Sequence, residues 1–220
     1  MNNKKAVCLI SGGLDSTVAT AMVIDKGYEP IFLFTRYGQK TVEKEEWCVN
    51  KLKDFYKVKE MFIVDLPWIK EFGGSALLDK NIPLDEMNFR LEYVPFRNSI
   101  FLSVATALAE VKGANLVVMG STGGDHICPD NSPEFHNAFQ KVMEIGTMLK
   151  KDVKIFHPLT DTDKTGAIKI GTKLDVPFEF TWSCHNGTKL ACGHCSNCVA
   201  RVEAFELNNF QDPIDYQKHD

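Results

Sequence analysis

The chain has 220 residues, 44% hydrophobic and 25% charged, with a formal net charge of −4. These values describe an ordinary globular chain of about one domain with a modest extension. They give no broad attraction for nucleic acid, so no stable nucleic-acid partner is expected, and no run of 18 apolar residues exists to form a membrane helix.

Met1-Asn2-Asn3-Lys4-Lys5 leads straight into a short apolar run without the flanks of a secretion signal, and a cytoplasmic location is expected. Ala6-Val7-Cys8-Leu9-Ile10 reads as a buried parallel strand, and residues 18–24 read as a helix. Between them lies Ser11-Gly12-Gly13-Leu14-Asp15-Ser16-Thr17. Two glycines in a strand-to-helix turn permit positive φ and close backbone approach to a ligand. The helix start adds N–H donors and a partial positive charge. The hydroxyls of Ser11, Ser16 and Thr17 complete a predicted cradle for phosphate or pyrophosphate. The loop has neither the Gly-Lys-Ser/Thr ending of a Walker loop nor the three-glycine dinucleotide fingerprint. Asp15 beside a polyphosphate is repulsive unless Mg²⁺ lies between them. Otherwise it is a plain first-turn helix acid.

A second strand is predicted over residues 31–34, a helix over 42–55 capped by Thr41, and a third strand over 58–64. This βαβαβ order implies a parallel sheet with helices on both faces. Residues 65–93, with Pro67, Gly73-Gly74 and Pro83, are an irregular excursion of the kind that serves as a lid or substrate loop. Residues 95–98 open a helix over 99–112, and a strand follows over 115–119. The glycine-rich run Gly120-Ser121-Thr122-Gly123-Gly124-Asp125-His126 then falls beside the first loop, because ligands in open parallel sheets lie beyond the carboxyl ends of strands. A helix over 133–150, a short strand at 155–156 and a helix over 165–174, capped from Asp161-Thr162-Asp163-Lys164, complete an α/β doubly wound domain over 1–175. A C-terminal segment over 176–220 holds a helix at 199–207 and ends in a polar, loosely held tail.

An odd total of seven cysteines, in a chain for which no secretion signal is expected, argues against a disulfide framework and for a metal site. Cys184, Cys192, Cys195 and Cys198 can reach one tetrahedral centre, and four thiolates at ~2.3 Å suit a closed, structural zinc site. An iron–sulfur cluster and a disulfide remain alternatives. His185 could replace a cysteine, whereas His194, inside the knuckle, points away. Cys8 and Cys48 read as core thiols, and Cys128 as inert between Asp125 and Asp130. Arg97 and Lys164 stand at helix starts, where a cation opposes the dipole, so each calls for a compensating phosphate or carboxylate. Asp125 and Asp130 are either Mg²⁺ or base-edge ligands or mere turn formers.

The string Ser11-Gly12-Gly13-Leu14-Asp15-Ser16 resembles the pyrophosphate loop of the N-type ATP pyrophosphatases. With Tyr37-Gly38-Gln39, Arg97-Asn98, Thr181, Cys184, Asn186-Gly187 and the cysteines from Cys192 to Cys198, the chain resembles the 7-cyano-7-deazaguanine synthase family from about residue 4 to residue 207. The resemblance implies an adenine-nucleotide alpha-hydrolase-like fold, a homodimer, and use of ATP, Mg²⁺ and one structural Zn²⁺. It implies that ATP adenylates the carboxylate of 7-carboxy-7-deazaguanine, that ammonia displaces AMP to give an amide, and that a second ATP drives its conversion to the nitrile. Asp15, Arg97 and Lys164 would be catalytic. Residues Ser11, Gly12, Gly13, Leu14, Asp15, Ser16, Thr17 and Gly120 would hold nucleotide, and Tyr37, Arg97, Asp125 and Asp130 the substrate. The chain departs from the family at Phe96, where glycine is usual, at Gly123, at Cys128 to Ser132, and at Gly166. These departures keep open a paralogue that stops at the amide or joins the activated carboxylate to another amine, such as one on a protein. A zinc-knuckle RNA contact and a non-catalytic nucleotide-binding module are readings from other classes.

Overall fold

A computed structural model describes residues 4–79, 81–82, 91–186 and 189–217, with the side chains of Asp125 and His126 outside the description. Five strands form one all-parallel sheet: β1 (Lys5–Leu9), β2 (Glu29–Arg36), β3 (Glu60–Asp65), β4 (Leu116–Val118) and β5 (Lys154–Phe156), in the order β3-β2-β1-β4-β5. The order reverses between β1 and β4, and in doubly wound sheets that switch point is where the crevice opens.

The period-2 alternation of β1 explains why its run is apolar throughout. Ala6 and Cys8 face one buried layer, which α1 (Leu14–Asp25), α2 (Val42–Phe55), α6 (Lys164–Lys173) and α7 (Ser196–Leu207) cover through Val18, Leu52, Ile168 and Phe205. Val7 faces the other, where α4 (Arg97–Lys112) and α5 (Pro133–Gly146) bring Leu102, Ala105 and Met143. A strand buried on both sides has no polar face to display. Cys8 and Cys48 are fully buried, as expected, and burial pushes both thiols up to about 12.

Several boundaries differ from expectation. Helix α1 starts at Leu14 rather than 18, because Ser16 and Thr17 turn their hydroxyls back onto the Gly13 carbonyl at 3.1 and 2.8 Å and close the first turn. Helix α5 ends at Gly146, not 150, and a short 3-10 turn over Lys150–Asp152 follows. Within the 65–93 excursion, the five-residue α3 (Trp68–Phe72) carries Ile69, which packs with Leu66, Leu78 and the following Val94 against Tyr37. Residues 83–90 of that excursion lie outside the described residues.

The tail over 208–217 is not loosely held. Arg201, with no exposed surface, donates from Nε and Nη2 to both oxygens of Asp212, at 2.7 and 3.0 Å. Tyr216 donates its hydroxyl to the same carboxylate at 2.6 Å, and Ala191 bridges to Tyr216. A buried, bidentate arginine pair fixes what composition alone reads as a fraying end. Among the described residues, no helix is long and apolar enough to cross a membrane.

Candidate active site

A cavity of about 580 Å³ opens beyond the carboxyl ends of β1, β2 and β4. Ser11, Gly13, Leu14, Asp15 and Ser16 line it, together with Tyr37, Arg97, Gly120, Asp130, Lys164 and Cys184. The expected phosphate loop, second loop and cysteine segment therefore meet at one site.

The loop is shaped by its glycines. Gly12 has φ of +77°, and a Cβ there would lie 2.7 Å from the Glu45 carbonyl oxygen and 2.9 Å from Cys48 Cβ. Gly120 lies against the start of α1, where a Cβ would fall 2.3 Å from Ser16 Cα. Only glycine lets the second loop close on the first. Ser11 and Ser16 brace the turn: Ser11 N donates to Ser16 Oγ at 3.3 Å, the two hydroxyl oxygens lie 3.1 Å apart, and Gly13 N donates to Ser11 Oγ at 3.1 Å. No side chain caps the N-terminus of α1, the arrangement that suits an anion at the helix start. Leu14 and Thr17 send their side chains inward, so any contact they make with nucleotide is through backbone.

Asp15 and Lys164 face each other across the cavity floor, with Oδ2 and Nζ 3.9 Å apart. The sequence called for a partner to Lys164 at its helix start, and Asp15 supplies one. Arg97 lies over the rings of Tyr37 and Phe101, with its guanidinium carbon 5.4 and 5.9 Å from the ring centres. Its Nη1 donates to the Tyr37 hydroxyl at 3.0 Å, while the buried Nε has no hydrogen-bond partner among the described residues. Burial pushes the Tyr37 hydroxyl up, opposed by the Arg97 charge, so Tyr37 stays neutral. Asp130 is buried and accepts from Asn98 N at 2.8 Å, the first turn of α4. Its charge meets both the helix start and the Arg97 cation. The Asp125 side chain lies outside the described residues.

Phe96, the departure before Arg97, occupies a left-handed conformation with φ of +59°. A glycine there would adopt it without strain. The remaining pocket acids include Glu45 and Glu92. The sequence offers Glu45 only as a first-turn charge, yet it accepts from Gln39 Nε2 at 2.9 Å and from Thr41 Oγ1 and lines the cavity. Burial raises its carboxyl, and the Thr41 and Gln39 hydrogen bonds oppose that rise. It lies opposite Gly12, a proximity that only the fold creates, so no sequence signal singles it out.

The cysteine centre lies at the cavity edge. The sulfurs of Cys184, Cys192, Cys195 and Cys198 lie within 4.8 Å of one another, all buried. Cys192 and Cys198 sulfurs are 3.9 Å apart, near the ~3.8 Å edge of a tetrahedron with 2.3 Å bonds and far beyond a disulfide's ~2.05 Å. Backbone N–H groups of Asn186 and Cys192 donate to Cys184 Sγ, and that of Cys195 to Cys192 Sγ, each at 3.4 Å. Such donors favour thiolates. The residues fit a four-sulfur metal site. Both histidines turn elsewhere: His194 Nδ1 lies 3.0 Å from the Cys192 carbonyl oxygen, and His185 faces Asn197 and Glu92. The segment also grips the phosphate loop, since Trp182 N donates to the Gly12 carbonyl at 2.8 Å.

The sequence model of the family described as "Queuosine biosynthesis protein QueC" matches residues 5–209. A 7-cyano-7-deazaguanine synthase of Campylobacter fetus subsp. fetus is 40% identical over 222 residues, which span 99% of this chain and 99% of that protein. The protein of the same name from Sulfurimonas denitrificans is 38% identical over 221 residues, 98% of this chain and 99% of its own length. Among solved structures, an NMN synthetase from Francisella tularensis superposes with a TM-score of 0.53 at 14% identity, covering 96% of this chain and 79% of that one. At that identity the likeness is one of fold. The chain belongs to the family of the queuosine biosynthesis protein QueC.

Proposed function

We propose that this chain is an ATP-dependent carbon–nitrogen ligase that makes 7-cyano-7-deazaguanine from 7-carboxy-7-deazaguanine and ammonia. The observation that carries the reading is the single cavity in which the loop over residues 11–17, the Lys164–Asp15 pair and the half-buried Arg97 face one another. Relatives at 38–40% identity over almost the whole chain bear the name of that synthase.

In this reading the substrate carboxylate oxygen attacks the α phosphate of ATP, the bond to the β phosphate breaks, and pyrophosphate leaves. Ammonia then displaces AMP to give the amide. The amide oxygen attacks the α phosphate of a second ATP, a second pyrophosphate and one amide proton leave, and loss of AMP with the other amide proton gives the nitrile. The protein's part is to align the reacting groups and to neutralise charge on the departing pyrophosphate. Backbone and hydroxyls of Ser11, Gly13, Leu14 and Ser16, with Lys164, suit the phosphates, while Gly12, Thr17 and Gly120 hold the loop in shape. Arg97, whose Nε has no hydrogen-bond partner among the described residues, suits a carboxylate. Tyr37 and Asp130 fix Arg97 and the start of α4.

Mg²⁺ would neutralise the phosphates, and Asp15 at the loop mouth gives it the one carboxylate such sites use beside phosphate oxygens and water. Zn²⁺ matches the sulfur spacing, which leaves no room for the several irons and sulfides of a cluster between the thiolates. A cytoplasmic homodimer completes the reading. The test is incubation with ATP, Mg²⁺ and 7-carboxy-7-deazaguanine, with and without ammonium, reading small-molecule masses and pyrophosphate. Ammonium-dependent nitrile with AMP and pyrophosphate is expected. The amide alone, or no pyrophosphate at all, would contradict the assignment.

A further inference from the structure

We propose that Asn197, carried on the cysteine knuckle, is a positioning residue that aims Lys164 at the phosphate loop. The inference rests on reading Lys164 as a phosphate ligand. A lysine side chain has a long flexible stem and loses much rotamer freedom when fixed, so a lysine that must meet a phosphate gains from being held. Helix α6 does not hold it. Lys164 is the first residue of α6, and the Asp163 cap oxygen is engaged by Gly166 N at 2.7 Å. Asp15 at 3.9 Å is a charge partner beyond hydrogen-bond length. Among the described residues, the amino group's hydrogen bond is to Asn197 Oδ1, at 3.3 Å.

The network fixes which way the carboxamide points. Lysine has donors only, so the amide oxygen must face it and the amide nitrogen must face away. That nitrogen lies 2.7 Å from His185 Nε2, which therefore accepts. The ring proton then sits on Nδ1, which faces Glu92 Oε2 at 3.6 Å. A line of groups runs from Glu92 through His185 and Asn197 to Lys164 and Asp15, and each member lines the cavity. Asn197 itself has little freedom. It stands between Cys195 and Cys198, in the first turn of α7, so the sulfur centre and the helix both fix its backbone. The knuckle thus contributes a polar arm to the nucleotide site in addition to gripping Gly12 through Trp182.

A double-mutant cycle tests this on metal-loaded full-length protein, with metal content and thermal midpoint checked for each variant. The readout is the dissociation constant of Mg²⁺ with α,β-methylene ATP for wild type, Lys164→Met, Asn197→Leu and the double variant. Asn197→Ala serves as a second substitution that cannot fail through bulk. Lys164→Met is expected to weaken binding about tenfold, the order of a lost charged hydrogen bond. Each Asn197 variant should weaken it severalfold, and the double variant should bind no worse than Lys164→Met alone. Multiplying losses, metal loss on substitution, or wild-type affinity in the Asn197 variants would overturn the inference while leaving Lys164 as a phosphate ligand. Wild-type affinity in Lys164→Met would sink that reading and the inference with it.

Discussion

Phe96, just outside the cavity, and Gly120, in its wall, tie backbone conformation to chemistry. Phe96 holds a left-handed backbone at the start of α4 with its side chain 61% exposed. Left-handed geometry costs an L-residue about 1–2 kcal/mol. Phe96→Gly should therefore be more stable than Phe96→Ala by about 1 kcal/mol in urea unfolding, since both lose the same ring. Equal stabilities would mean the backbone relaxes at no cost. Gly120 is the converse case. A methyl group there meets Ser16 backbone atoms at 2.3 and 2.4 Å, which no rotamer change relieves. Gly120→Ala should cost about 3 kcal/mol and weaken ATP binding by displacing the first turn of α1. Unchanged binding would separate the second loop from the nucleotide site. Thiol chemistry follows burial. Cys8 and Cys48 are pushed up to about 12, while Cys128 is half-buried in the cavity wall. Iodoacetamide at pH 8 should modify Cys128 in metal-loaded protein and reach Cys184, Cys192, Cys195 and Cys198 only after chelation, by mass spectrometry. Labelling of the knuckle before chelation would count against a metal there.

At the scale of elements, Arg201 joins three pieces of chain: α7, the turn at Phe178 to Ser183, and the tail at Asp212. The Arg201 and Asp212 side chains are 0% and 5% exposed. Removing one partner leaves a buried charge unpaired, which costs about 3–5 kcal/mol. Arg201→Met should lower the unfolding free energy by that amount and free the tail to proteolysis, and a resistant tail with unchanged stability would refute the cross-link. This pairing shows where sequence reading ends. The phosphate loop and the cysteine spacing are local strings, so their residues name their own partners. The strand run of β1 and the cap at Asp163 are equally local. Arg201 and Asp212, or Lys164 and Asn197, meet only after folding, and nothing in their spacing marks them. Composition misreads the polar tail for that reason, and it misses the start of α1 because the Ser16 and Thr17 hydroxyls close the first turn on the Gly13 carbonyl. The second loop was placed correctly beside the first by sheet topology, but the use of Asp130 at the start of α4 required the fold.

Across the whole molecule, the sheet's reversal between β1 and β4 brings the two glycine-rich loops together, and the cysteine segment closes the third side. The cavity therefore depends on both the α/β scaffold and the C-terminal region, whose Ala204 and Phe205 belong to the same buried layer as Val18. The central claim is that the chain activates a carboxylate by adenylation and then activates the resulting amide in the same way. Turnover of 7-carboxy-7-deazaguanine labelled with ¹⁸O in both carboxylate oxygens, in the presence of ammonium and ATP, tests it most directly. Two successive adenylations release two AMP molecules per nitrile, each carrying one ¹⁸O, because each oxygen leaves bonded to the α phosphate. Unlabelled AMP, or label retained in an amide that accumulates, would contradict it.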